Sequence, residues 1–342
     1  MKCVLPLLAA LTLTAPGLHA WDYAGHRIVN QLALAGLPAE FPAFVHAPEA
    51  AERIAFLSGE PDRWRSVPDL PLRQSGNLDH YLDLEQLAAA GMKPDALSPL
   101  RLEFAAQFAA ARLAHPEQFP SFDPAKDTDH TREWPGFLPW AIAESYARLK
   151  SAFAYLKAFE ENGTPAEVAN ARADVIYYMG VMGHYVGDGA QPLHTTIHNN
   201  GWEGDNPHGY TTWKGFHAWI DGGFIARAGI NYPALANRAR PARWLAGPPV
   251  PDQRDPLFDS VMKYLVAQHA RVEPLYQLDL AHKIGANTTD LTEGRAFIEE
   301  QLLRGGEMLA SVWVTAWRNA PVDVYLRAQL LKRKADAAAV AP

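Results

Sequence analysis

The sequence predicts an all-α protein, a single multi-helix bundle with long loops, on three observations. Apolar residues recur at helical spacing over several long segments, a helix-start signature is complete at Thr164-Pro165-Ala166-Glu167, and no run alternates long enough to predict a strand. The first helical segments are 22–37 and 48–57, the second opening on a proline that a first turn tolerates. Segment 98–115 carries Leu100, Phe104, Phe108 and Leu113 at helical spacing, and 139–161 repeats the pattern with Ile142, Tyr146, Leu149, Phe153, Leu156 and Phe159. The helix opened by Thr164 is predicted to run to about residue 186. Further helical stretches cover 216–228, 255–276 and 292–318. Trp140, Tyr146, Tyr177 and Tyr178 read as core rather than as stacking surfaces. The breaks between helices are polar at 126–135, rich in Gly, Asn and Thr at 199–214, and rich in proline at 240–254. None has the low complexity of a linker, so 21–330 is expected to be one domain and 331–342 a disordered tail.

The chain has 342 residues, and its first twenty read as a signal peptide. Lys2 gives the basic start, 4–14 is largely apolar, Ala15-Pro16-Gly17 breaks the helix, and Ala20 offers a small residue at the cut. The expected location is secreted or periplasmic, with no membrane-spanning segment after leader removal. Cys3, the single cysteine, leaves with the leader, so the mature chain has no disulfide and no thiolate ligand. A net charge of −7 excludes a broad basic surface for nucleic acid or anionic lipid. Attraction for a phosphate must therefore come from a local source. No stable protein partner is expected.

Histidines and aspartates are arranged as such a source requires. In Gly183-His184-Tyr185-Val186-Gly187-Asp188-Gly189-Ala190-Gln191-Pro192-Leu193-His194, His184 and Asp188 are four apart and share a helix face, while His194 follows the turn at Pro192. His217 and Asp221 repeat the four-residue spacing. Asp62 and His80 sit upstream among aromatic neighbours, and His26 lies five positions after Trp21. A cut after Ala20 would make Trp21 the first residue, with a free amino group and a carbonyl oxygen available to a metal. Imidazole with carboxylate suits zinc, and on chemistry alone manganese or iron as well. One His–Asp pair on a helix is commonly a surface hydrogen bond; two pairs with further His and Asp in apolar surroundings point to a metal site.

In these residues the chain resembles the trinuclear zinc phosphoesterases, the superfamily of the single-strand-specific nucleases of fungi and plants and the bacterial zinc-dependent phospholipases C. The resemblance spans Trp21 to Asp221. It implies three Zn²⁺ ions: one held by Asp62, His80, His184 and Asp188, one by His194, His217 and Asp221, and one by the Trp21 amino nitrogen and carbonyl oxygen, His26 and a second oxygen of Asp188. It also implies that Arg65 lies near the phosphate and that Asp83 orients the attacking water. Tyr81, His198 and Asn206 are candidate substrate contacts.

The expected activity is zinc-dependent hydrolysis of a phosphodiester, with single-stranded DNA or RNA the favoured substrate and a phospholipid headgroup ester the alternative. The short Trp21–His26 spacing, the 23-residue step from His194 to His217, and an aspartate at 221 favour the nuclease branch. The loop 198–212 lacks the Gly-Gly-Asn segment with which the fungal and plant nucleases help bind the base, and the long insertion 85–139 looks more like the phospholipase-like members. A secreted zinc-binding protein without turnover is the remaining reading; His130 and His208, like His198, sit in polar loops where a lone histidine is usually solvated, and His46, His115, His269 and His282 are given no site role.

Overall fold

In the computed structural model, which describes residues 21–119, 121–248, 250 and 254–340, the chain is all-α and no strand occurs among the described residues. The expected leader lies outside them. The helices are α1 (Tyr23–Ala35), α2 (Pro48–Leu57), α3 (Glu60–Arg65), α4 (Leu70–Leu78), α5 (Leu84–Ala89), α6 (Arg101–Ala114), α7 (Leu138–Asn162), α8 (Pro165–Ala190), α9 (Phe216–Ala218), α10 (Phe224–Ala228), α11 (Tyr232–Leu235), α12 (Pro256–His269), α13 (Val272–Leu280), α14 (Thr292–Arg318) and α15 (Val324–Val340). Short 3₁₀ turns link several of them.

The two longest hairpin partners form because only Gly163 and Thr164 separate α7 from α8. The capping box is present as expected: the Thr164 hydroxyl accepts from the Glu167 amide at 3.3 Å, and Glu167 returns a carboxylate to the Thr164 amide at 2.8 Å. Helices α1, α7 and α14 pack on α8, and α2 covers another of its faces. From Met179 to Ala190 every residue of α8 is buried, and α14 is buried on most of its circumference between Gly294 and Ala316. Helices buried on so much of their surface lie in the middle of the bundle. Small residues permit the closeness: Asn30 of α1 donates to the carbonyls of Ile54 in α2 and Gly180 in α8, at 2.8 and 3.1 Å, and its side chain fills the space that a Cβ on Gly183 would need.

Several boundaries differ from expectation. Helix α8 continues through Ala190, because Gly183, Gly187 and Gly189 serve close packing instead of ending the helix. The stretch 216–228 is broken by a π-helical turn at Trp219–Gly223, and 255–276 is split between α12 and α13. The segment 331–342, expected to be disordered, is instead helical as far as Val340. Arg327 and Arg333 pair with Glu161 and Glu167, and Lys334 reaches the Glu161 carbonyl, so the basic run docks on the turn between α7 and α8. No helix among the described residues is long and apolar enough to cross a membrane.

Candidate metal centre

Several segments converge on the buried end of α8. Helix α1 brings His26; α3 and the turn after α4 bring Asp62 and His80; the chain leaving α8 brings His194, which meets His217 from α9 and Asp221 from the π-helical turn. Three triads of ligand atoms result: His26, His184 and Asp188; Asp62, His80 and His184; and His194, His217 and Asp221, every member buried.

The carboxylate of Asp188 faces two ways. Its Oδ1 lies 3.4 Å from His26 Nε2 and its Oδ2 3.4 Å from His184 Nε2, the arrangement of a carboxylate shared between neighbouring positions. Asp62 Oδ1 stands 3.6 Å from His80 Nε2 and 3.9 Å from His184 Nε2. In the third triad His217 Nε2 is 2.9 Å from Asp221 Oδ2 and 3.1 Å from His194 Nε2.

The other ring nitrogens explain how the imidazoles are aimed. Nδ1 of His184 contacts the Ser58 carbonyl at 2.7 Å, Nδ1 of His194 the His80 carbonyl at 2.7 Å, Nδ1 of His217 the Asn199 carbonyl at 3.0 Å, and Nδ1 of His80 the Gly76 carbonyl. A carbonyl can only accept, so each Nδ1 carries the proton and each Nε2 presents its lone pair to the cluster. His26 is held differently, stacked on His184 with centroids 3.9 Å apart and lying against Gly187, where a Cβ would come within 2.8 Å of its Nδ1. Gln191 fixes Asp221 by donating to its Oδ1 at 2.6 Å while accepting from the Leu193 amide at 2.7 Å.

Charge states follow from burial. It lowers His26 to about 3 and His80 to about 4, and drives His184 and His194 well below the ordinary imidazole value, so these rings are neutral. Burial likewise raises Asp188, helped by Asp62 and Asp221, and raises Asp221. For Asp62 burial acts in the same direction, and the Arg65 guanidinium beside it opposes that effect and favours the ionised carboxylate. Neutral imidazoles around crowded carboxylates with one adjacent arginine form a set short of positive charge.

Buried polar atoms are nearly always satisfied. Here Nε2 of His26, His80 and His184, both oxygens of Asp188 and Oδ2 of Asp221 have no hydrogen-bond partner, and all of them belong to members of the triads. The donor set, its protonation and its orphaned atoms fit divalent metal ions.

Trp21 is fully buried, and its indole donates to the Gly187 carbonyl at 2.8 Å; the Asp22 amide donates to the Asp221 carbonyl at 3.1 Å. The start of α1 is thereby tied to two ligand segments. Arg65 lies 2.7 Å from Asp62 Oδ1. Asp83 is buried at the start of α5, accepts from Gln86 at 2.8 Å, and belongs to none of the triads; burial raises it to about 7 against the Gln86 bond, with Glu85 adding to the rise. Tyr81 is partly buried against the core, its carbonyl accepting from Leu138. His198 stacks on Trp202 at 3.8 Å and accepts from the Glu203 amide, while the Asn206 side chain is taken by the amide and carbonyl of Tyr210. Those last two side chains are engaged within 198–210 and are members of none of the triads.

Sequence reasoning missed the supporting residues. Gln191, Ser58 and Gly187 carry no pattern of their own. Glu85 and His269, which engage Thr195, Thr196 and Ile197 directly after His194, are too far apart in sequence to signal a pair. No protein-family model matches the chain, and a search of curated proteins returns no match.

Proposed function

We propose that the chain is a zinc-dependent phosphodiester hydrolase, exported to the periplasm or beyond, whose favoured substrate is single-stranded nucleic acid. The observation that carries the reading is the set of three buried triads whose unpartnered atoms coincide with the ligand positions expected from the sequence.

Asp62, His80, His184 and Asp188 would hold one ion, His194, His217 and Asp221 a second, and His26 and Asp188 with the backbone of Trp21 a third. Bound zinc would supply Lewis-acid neutralisation of the phosphate and a water acidic enough to ionise near neutral pH. The chain's own groups supply the rest. The Arg65 guanidinium, held against Asp62, would bind phosphate oxygens, and Asp83 would accept a proton from, or orient, the attacking water. Burial of the cluster keeps competing water out and strengthens each electrostatic contact. Leader removal would complete the site by freeing the Trp21 amino group.

Hydrolysis of phospholipid headgroups is the second reading, favoured by the absence of the Gly-Gly-Asn segment and by the insertion 85–139. The test is a parallel assay of the purified mature protein on single-stranded DNA, RNA and a phosphocholine diester, with and without chelator. Chelator-sensitive cleavage of nucleic acid is expected. Turnover of none, with zinc bound, would leave a binding protein.

A further inference from the structure

The residues that follow His194 are held from two sides. From α5, Glu85 offers both carboxylate oxygens: Oε1 accepts from the Thr196 hydroxyl, and Oε2 from the Ile197 amide at 3.2 Å. From the last turn of α12, His269 donates through Nδ1 to the Thr195 carbonyl at 2.9 Å, and its Nε2 lies 3.8 Å from Glu85 Oε1. Thr195 and Thr196 are fully buried, whereas the Glu85 and His269 side chains are only partly so.

The chain just before Glu85 holds His194 itself. The His194 ring donates to the His80 carbonyl at 2.7 Å, and the Leu82 amide donates to the His194 carbonyl at 2.9 Å. With the two bonds to Glu85, residues 80–85 and 194–197 are tied in one register. His80 and His194 belong to different triads, so this register also sets two candidate ion positions relative to each other. A carboxylate is the group that such a pairing requires. It accepts with both oxygens, whereas an amide in its place would turn an N–H₂ toward a donor. Without Glu85 the buried Thr196 hydroxyl and the Ile197 amide would lose their acceptors, and the chain carrying His194 would be free to shift. A metal ligand tolerates only about 0.5 Å of such movement.

We propose that Glu85 and His269 are positioning residues for the candidate metal centre. They hold the chain after His194 so that its imidazole meets His217 and Asp221, and they thereby govern zinc affinity at that one position. The proposal rests on the zinc reading given above, and neither residue is a member of a triad.

The test follows stepwise removal of zinc by a competing chelator from wild type, Glu85→Gln, Glu85→Ala, His269→Asn and His269→Ala, with melting curves of the metal-free proteins recorded beside it. In the alanine variants one zinc-binding step should weaken about 10-fold to 100-fold, the usual effect of removing a group that orients a metal ligand, while the other steps keep wild-type affinity. Glu85→Gln should fall between, because one acceptor oxygen remains. His269→Asn should restore the wild-type value, because its amide can donate to the Thr195 carbonyl. In a His217→Ala background, which removes the same position, Glu85→Ala should weaken no further step. A lowered melting temperature with unchanged zinc affinity overturns the proposal, since a purely structural contact gives that result; so does a weakening that persists in the His217→Ala background. If Glu85→Ala fails to fold, the partly exposed His269 decides through its alanine variant. Wild type that binds no zinc sinks the metal reading and the proposal together, whereas zinc bound with equal affinity by wild type and every variant sinks the proposal alone.

Discussion

A buried carboxyl three residues from a candidate metal ligand, as Asp83 is from His80, can serve as a ligand itself or as a proton acceptor, and a single variant tells the two roles apart. It bonds to Gln86 and stands outside the triads, so Asp83→Asn is expected to keep the zinc content while lowering turnover about 100-fold, the usual reach of one acid–base group. Loss of zinc in that variant would make Asp83 a ligand. The same residue has a stability signature. Its folded value, raised to about 7, lies above the ordinary 3.8, so its contribution is fully present below 3.8 and is lost as pH rises through about 7. The melting temperature of Asp83→Asn should therefore gain on that of wild type across that interval, and a constant difference between them would contradict the burial argument. Gly187 offers a complementary check. A methyl group there would press on His26, so Gly187→Ala should weaken binding of one zinc without removing the others, measured as metal stoichiometry.

At the scale of elements, α8 is where packing and chemistry depend on the same glycines. Helical spacing made His184 and Asp188 legible as a pair, and periodicity located α2 and α14 at their observed limits. The short helices α3, α4 and α5 were not legible, because six to nine residues hold too few turns for a period to emerge. The π-helical turn at Trp219–Gly223 was hidden as well; it carries the Trp219 indole, which donates to the Ile284 carbonyl at 2.7 Å across the fold, a contact with no local sequence signal. Asn30 joins three helices through the gap left by Gly183. Gly183→Ala should therefore cost about 1–3 kcal/mol through overpacking, read from denaturant unfolding, whereas the same change at the exposed Gly204, where nothing lies within 4 Å but φ is +74°, would act only through local backbone strain.

For the whole molecule the candidate centre would act as a clasp. Its residues come from α1, α3, the turn after α4, α8, the turn that follows it, α9 and the π-helical turn, so a bound metal would stabilise the folded state over an unfolded chain in which these groups are apart. Chelation should lower the melting temperature and added zinc restore it; a melting curve indifferent to chelator would remove the metal reading. A mature chain carrying one extra residue before Trp21 should lose or weaken one of the zinc ions while the rest remain. Equal zinc content and activity in that protein would show that the free amino group is not a ligand. The helical 324–340 segment is tied down mainly by exposed ion pairs such as Arg333 with Glu167, which are screened by water, so single substitutions there should move stability little.

The sequence by itself determined what depends on local order: the all-α class, the main long helices, the absence of sulfur ligands in the expected mature chain, and the four-residue His–Asp spacings that a helix turns to one side. Only the tertiary structure decided which nitrogen of each imidazole faces the cluster, that Asp188 faces His26 and His184 with separate oxygens, and that Gln191 holds Asp221. It also decided which polar side chains are taken up by local bonds, as the Asn206 side chain is in closing its own loop. The physical reason is that ligand orientation is set by carbonyls and side chains up to 126 residues away, such as Ser58 for His184, and such contacts leave no periodic trace along the chain.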